Sequence, residues 1–237
     1  MDQIRELKEM VKDSNRIVFF GGAGVSTESG IPDFRSVDGL YHQTYRYPPE
    51  TILSHDFFMA NTKEFFEFYR DKMLRPEAKP NSAHKKLASW EREGKLSAVV
   101  TQNIDGLHQA AGSKHVLELH GSVHRNYCMD CGKFYGTEYV LNSKGIVRCS
   151  CGGVVKPDVV LYGESLRSDV LEESVSCIAS ADMLIVGGTS LAVYPAAGLV
   201  DYYMGAKLVL VNKSATPFDH RADLLVTDKI GDVFSKL

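Results

Sequence analysis

Long apolar runs, blocks of like charge, fixed-period repeats and low-complexity tracts are all missing from this 237-residue chain. The longest early apolar stretch, Ile17 to Phe20, falls far short of the roughly 18 residues that a membrane span requires. The start, MDQIRELKEMVKDSN, is charged throughout and resembles no export signal. No membrane association is expected, and the expected location is cytoplasmic. A formal net charge of -3 supplies no field for a polyanion, so direct nucleic-acid binding is not expected. Cysteine is scarce: five residues, an odd number, with four of them between Cys128 and Cys151. In a chain without an export signal that clustering suggests a metal rather than a disulfide framework. With 44% apolar residues, the chain can bury the core of one large domain, or of one domain with an insert. A monomer is expected.

Ile4, Leu7, Met10 and Val11 recur at helical spacing, and the apolar run IVFF (17 to 20) then leads into Gly21-Gly22-Ala23-Gly24. Short apolar runs return at Leu96 to Val100, Val116 to Leu119, Val159 to Tyr162, Met183 to Val186 and Leu208 to Val211, often with helical stretches between them. Such alternation predicts a mostly parallel sheet covered by helices. Two segments interrupt it: the aromatic-rich stretch Thr51 to Leu74 and the cysteine-bearing stretch. Phe57, Phe58, Phe65, Phe66, Phe68 and Tyr69 are read as core rather than as a ligand box, because their spacing is near-helical.

Gly22-Ala23-Gly24 follows a strand, where backbone amides can approach a pyrophosphate or simply make a tight strand-to-helix turn. The full GxGxxG fingerprint is absent, since Thr27 occupies its last position. The loop STESGIPDFR (26 to 35) adds Phe34 as an apolar wall and Arg35 as a fork of donors for phosphate or ribose. Gln102-Asn103-Ile104-Asp105-Gly106 sits at the carboxyl end of the strand Leu96 to Thr101, where open parallel sheets place ligands. Asn103 and Asp105 suit a carboxamide, a water, or positive charge developing on a ribose; a polar capped turn is the alternative. His120 ends the next strand at the same edge and is either a base near neutrality or a structural histidine. His124 competes with it. Gly187-Gly188-Thr189-Ser190 and Asn212 close the ring from the strands Asp182 to Val186 and Leu208 to Val211.

Cys128-Met-Asp-Cys131 and Cys149-Ser-Cys151 offer four thiolates in two close pairs, which suits a tetrahedral, structural zinc with no open position. Cys177 lies on an amphipathic stretch and is read as core.

GAGVSTESGIPDFRS (22 to 36), TQNIDGLH (101 to 108), LELHGS (117 to 122), the paired cysteines, KPDVVLYGE (156 to 164) and GGTSLAVYPAA (187 to 197) occur together in one order. Over almost its full length the chain resembles the sirtuins, the NAD-dependent protein deacylases, in their bacterial form. The resemblance implies a Rossmann-like NAD-binding domain (1–35, 76–124 and 155–237) and a small domain formed by a helical insert (36–75) and a zinc-binding module (125–154). It implies NAD, consumed as co-substrate, in contact with Gly22, Ala23, Gly24, Thr27, Phe34, Arg35, Gln102, Ile104, Asp105, Gly188, Thr189, Ser190, Asn212 and Ile230. His120 would be the general base, with Asn103 and Asp105 beside it. Val160, Leu161 and Tyr162 would pair with the acyl-lysine peptide. The products would be nicotinamide, free lysine and an acylated ADP-ribose.

Three departures from the family pattern stand out. Gly21 occupies a position where many relatives have Thr, the second cysteine pair is separated by one residue rather than two, and Tyr69-Arg70-Asp71-Lys72 replaces the Tyr-x-x-Arg of sirtuins that take acidic acyl groups. The last favours acetyl-like substrates, because lysine cannot make arginine's bidentate carboxylate contact. The rival readings are an NAD-dependent dehydrogenase, a mono-ADP-ribosyltransferase and a non-catalytic NAD or ADP-ribose sensor.

Overall fold

The structure, a computed structural model, describes residues 3–34, 39 and 46–237. Six parallel strands form the main sheet: β1 (Ile17–Gly21), β2 (Leu96–Thr101), β3 (Val116–Glu118), β7 (Met183–Gly187), β8 (Leu208–Val211) and β9 (Leu224–Val226), in the spatial order β3-β2-β1-β7-β8-β9. The order reverses beside β1, which opens a crevice between the carboxyl ends of β1 and β7. Both faces are covered, so β1 is apolar at every step rather than alternating. Ile17 and Phe19 enter one core with Leu7 and Val11 of α1 (Gln3–Lys12), Leu87 and Trp90 of α5 (Ser82–Arg92), and Val233 and Phe234 of α9 (Ile230–Ser235). Val18 and Phe20 enter the other, with Ile178 of α8 (Ser168–Ser180) and Leu199 of the 3-10 segment Ala196–Tyr202. Cys177 is half-buried against this second core.

A smaller antiparallel sheet joins β4 (Gly121–Cys128), β5 (Phe134–Tyr135) and β6 (Val155–Val159) in the order β5-β4-β6. It shares a third core with α2 (Pro49–Ile52), α3 (His55–Ala60), α4 (Thr62–Phe68) and the π-helical turn Tyr69–Met73. Phe58, Phe65 and Phe66 meet edge to face, and Tyr69 stacks on Phe65. All six aromatics of the stretch Thr51 to Leu74 are buried, as their spacing predicts.

The run Val159 to Tyr162 is not a strand of the main sheet. The strand β6 ends at Val159, and its alternating burial, Val155, Pro157 and Val159 inward with Lys156 and Asp158 half-exposed, is that of a sheet with one wet face. Residues 160–162 then run as an edge: Val160 N–H donates to the His120 carbonyl (3.0 Å), and Tyr162 exchanges backbone bonds with Leu53 and His55 (2.9 Å each). No described helix is long and apolar enough to cross a membrane.

Candidate active site

Two glycine turns meet at the switch point. Gly22 and Gly24 donate their amides to the carbonyls of Gly187 and Gly188 (3.3 and 2.8 Å). A Cβ at Gly24 would lie 2.8 Å from the Gly188 oxygen, and one at Gly188 would lie 2.3 Å from the Val25 nitrogen. These glycines therefore let two loop backbones touch, and the amides of Gly22 and Gly24 are spent on that contact rather than offered to a pyrophosphate. Ile230 lies beneath: a Cβ at Gly187 would meet its Cδ1 at 2.4 Å.

From this floor rises a chain of polar side chains contributed by three strands. Gln102, just past β2, donates Nε2–H to Thr189 Oγ1 (3.0 Å), and the Thr189 amide donates to Asn212 Oδ1 (3.0 Å) at the end of β8. Asn212 is buried, and its Nδ2 has no partner among the described residues, a donor left over for a ligand. On the other side Ser26 donates to Asp105 Oδ2 (2.6 Å) and accepts from Asn103 Nδ2 (3.1 Å), while Asp105 Oδ1 caps the Leu107 amide (2.9 Å) at the start of α6 (Leu107–Ala111). Thr27 is exposed, with its hydroxyl bonded to the Gly24 carbonyl, and Ser190 is exposed. Phe34 and Ile104 are half-buried against the third core, at the border with the small sheet. Arg35 lies outside the described residues.

His120 stands between β3 and β4. Its Nδ1 faces the Gln102 carbonyl at 3.0 Å, and a carbonyl only accepts, so Nδ1 carries the proton and Nε2 the lone pair. Among the described residues Nε2 has no hydrogen-bond partner. Burial pushes this imidazole below its ordinary pKa, opposed by the bond to the Gln102 carbonyl, which raises it. The competitor His124 has both ring nitrogens engaged, on the Asp105 carbonyl (2.9 Å) and the Thr137 hydroxyl (3.1 Å). It braces the Asp105 loop, with its ring against Gly106. The edge formed by Val160, Leu161 and Tyr162 reaches His120 directly through the Val160 amide, and Glu164 holds that edge by accepting from the Leu161 amide, His55 and Lys156.

The four cysteine sulfurs converge. Separations of 3.5 Å (Cys128 to Cys151, Cys131 to Cys151) and 3.6 Å (Cys131 to Cys149) are close to the ~3.8 Å edge of a tetrahedron with metal–sulfur bonds of about 2.3 Å. None of the four is in a disulfide.

A Sir2 family profile matches residues 22–195, the span that holds both glycine turns, His120 and the cysteines. The chain is 62% identical over 237 residues to the NAD-dependent protein deacetylase of Clostridium acetobutylicum, across 98% of this chain and 97% of that one. This chain belongs to the Sir2 family. A Sir2 structure holding a deacetylated p53 peptide and 3'-O-acetyl ADP ribose superposes with a TM-score of 0.91 at 40% identity, covering 98% of this chain and 96% of that chain. Sir2Tm bound to a propionylated peptide gives 0.87 at 39%, covering 100% and 97%.

Several contacts that shape the site of this Sir2 chain have no sequence cue of their own. Ser26 joins Asn103 to Asp105 although it is 77 and 79 positions away. Glu28 accepts the Gly231 amide (2.6 Å) and ties the loop after β1 to α9. Asn81, capping α5, also donates to the Val25 carbonyl (2.8 Å) and Ser29 (3.0 Å). The spacing of Asn81 and His84 is a legible capping pattern; the contacts that cross to the site are not.

Proposed function

We propose that this Sir2 protein removes acetyl and closely related acyl groups from protein lysines, consuming NAD and releasing nicotinamide and O-acyl-ADP-ribose. The observation that carries the reading is the orientation of His120: a neutral, half-buried imidazole anchored through Nδ1 to the loop after β2, at the carboxyl edge of the sheet, presenting Nε2 as acceptor. The names and bound molecules of the relatives point to the same chemistry.

NAD, as co-substrate, supplies the ribose carbon that receives the acyl oxygen as nicotinamide departs. Nicotinamide leaves neutral from a cationic ring, so no strong acid is required of the protein. Asn103 and Asp105, locked together through Ser26, would hold the nicotinamide and ribose end and offset positive charge on the ring. His120 Nε2 would then take a ribose hydroxyl proton. Gly22, Ala23, Gly24, Thr27, Phe34 and Arg35 would line one side of the dinucleotide, with Gln102 and Ile104 beside its nicotinamide end. Gly188, Thr189, Ser190, Asn212 and Ile230 would line the other, and the unpartnered Nδ2 of buried Asn212 fits a ribose hydroxyl. The peptide would pair with Val160, Leu161 and Tyr162. Cys128, Cys131, Cys149 and Cys151 would hold one zinc, whose contribution is to the scaffold.

In the insert, Lys72 is paired with Asp71 (2.9 Å), Arg70 donates to the Gly145 carbonyl (2.9 Å), and Tyr69 is fully buried. With Lys72 where a second arginine would stand, the segment lacks the bidentate carboxylate donor, which favours short neutral acyl groups over acidic ones. The packing of 47–74 against 128–155 supports a small domain drawn from 36–75 and 125–154, its core extended by the flanking strands to Val123 at one end and Leu161 at the other. The proposed state is a cytoplasmic monomer.

The test is nicotinamide release from NAD with a panel of acyl-lysine peptides, read by mass for the acyl product, and repeated with His120→Ala. Release with acetyl-lysine peptides that is lost in the variant is expected. NAD binding without turnover on any peptide would sink the reading.

A further inference from the structure

The two cysteine pairs build matching turns from different lengths of chain. At the first, the Cys128 amide donates to the Lys133 carbonyl (2.9 Å) and the Gly132 amide to the Cys128 carbonyl (3.0 Å). At the second, the Cys149 amide donates to the Gly153 carbonyl (2.8 Å) and the Gly152 amide to the Cys149 carbonyl (2.9 Å). The same ladder is thus closed with one residue fewer, the consequence of the Cys-Ser-Cys spacing. A shorter turn has fewer amides to aim at its leading sulfur. The Cys151 amide reaches Cys149 Sγ only at 3.5 Å, and the Ser150 amide turns away from sulfur to the hydroxyl of Tyr135 (3.2 Å). That hydroxyl in turn donates to Cys149 Sγ at 3.0 Å. The phenol therefore relays the Ser150 dipole to the sulfur, and hydrogen bonds in series polarise one another.

We propose that the Tyr135 hydroxyl completes the cysteine site, donating to the Cys149 thiolate and holding the bound metal against loss. This rests on the reading of the four cysteines as a zinc site. Four thiolates around a divalent cation carry a surplus of two negative charges, and each donor aimed at sulfur offsets part of it. Cys149 and Tyr135 are 6% and 9% exposed, so water does not compete for the bond. The ring is fixed without help from the metal. Its backbone pairs with Asn126 in β4, its face lies against Tyr139 at 4.3 Å between centroids, and the Lys133 ammonium sits 5.5 Å from the ring centre. Tyr139 supplies an internal control, because its hydroxyl donates to the Arg148 carbonyl (2.7 Å) and touches no sulfur.

The experiment compares zinc-loaded wild type, Tyr135→Phe, Tyr139→Phe and a protein in which Tyr135 is replaced by 3-fluorotyrosine, a near-isosteric, stronger donor that keeps the hydroxyl and tests the bond independently of the phenylalanine variant's folding. Metal analysis first establishes one zinc per wild-type chain; a zinc-free wild type would remove the metal reading itself. Zinc transfer to a chromogenic chelator should then be roughly tenfold faster in Tyr135→Phe, in line with the loss of a partner to a metal ligand, unchanged in Tyr139→Phe and slower with fluorotyrosine. In the cobalt-substituted proteins, the sulfur-to-cobalt charge-transfer band should move in opposite directions for the phenylalanine and fluorotyrosine proteins. Equal release rates with an unmoved band, or an equal effect from Tyr139→Phe, would overturn the proposal while leaving zinc in place.

Discussion

At the scale of single residues, the site depends on which atoms are already committed. The Nδ1 of His120 is committed to the Gln102 carbonyl, so its other nitrogen is available as a base, whereas both nitrogens of His124 are occupied. His120→Ala is expected to cut deacylation by about 10²–10⁴-fold, the usual worth of a positioned base, while NAD binding measured by calorimetry persists. The pH profile carries a sign. Because burial lowers the folded-state pKa of His120, the neutral base survives below the ordinary histidine value of about 6.5. The acidic limb of kcat/KM for the free enzyme should therefore fall below that pH, and a limb centred above 7 would contradict the assignment. Gly121 makes the same point about geometry. Its φ is +75°, and a Cβ there would lie 1.9 Å from the Asp158 carbonyl oxygen. Gly121→Ala should destabilise the protein by more than about 1 kcal/mol, read as a lower urea midpoint, and lower turnover with it, because the residue displaced is the neighbour of His120.

At the scale of elements, α5 and α6 meet through two buried histidines, His84 and His108, whose rings are 4.7 Å apart. His84 Nδ1 accepts the Asn81 amide in the α5 cap, and both nitrogens of His108 lack partners among the described residues. Desolvation lowers the His84 pKa to about 4 and His108 well below its usual value. Both bind protons in the unfolded chain before they do so in the folded one, so their neutral forms contribute stability that is full above about pH 6.5 and lost progressively as pH falls toward 4. The thermal midpoint should drop across that window, and drop less in His108→Gln; an equal drop would assign the acid sensitivity elsewhere. Elements also mark how much could be read beforehand. The run IVFF and its partners were legible as buried parallel strands because both faces are covered, and the glycine turns and the cysteines were legible from type and spacing, whereas His120 read as either a base or a structural histidine until the family resemblance was added. The strand β6 was misplaced because the apolar run 159–162 outweighed the alternation of 155–159, which is the truer mark of a sheet with one wet face. The short β9 offers only three residues of pattern. Ser26, Glu28 and Tyr135 act across 79, 203 and 14 positions, distances at which spacing carries no information.

At the scale of the whole molecule, the question is what fixes the small sheet against the large one, since His120 lies on the join. Backbone bonds flank the join and cross it. The Leu119 amide reaches the Thr101 carbonyl (2.9 Å) within the main sheet, the Val160 amide reaches the His120 carbonyl (3.0 Å) within the small one, and the Val123 amide of β4 crosses to the Ile104 carbonyl (2.9 Å). Arg125, on β4, spans the rest: Nη1 to Glu118 of β3 and Nε to Asp158 of β6, each at 2.7 Å. The Glu118 side chain is only 9% exposed and the Asp158 side chain 27%, so both carboxylates rely on this guanidinium for compensation. Removing it leaves two like charges in a poorly hydrated joint. Arg125→Met is expected to cost about 1–3 kcal/mol, below the value for a fully buried pair because Arg125 itself is partly in water. The loss should be largely recovered when Glu118→Gln and Asp158→Asn are added, since the penalty belongs to the uncompensated charges rather than to the missing attraction. Urea unfolding at low and high salt measures this directly: a cost that persists in salt and is rescued by neutralising the carboxylates places Arg125 in the joint. A cost within about 0.5 kcal/mol, ordinary for a surface substitution, would mean that the contacts of Val123 and His124 with the loop after β2 hold the two sheets in place by themselves.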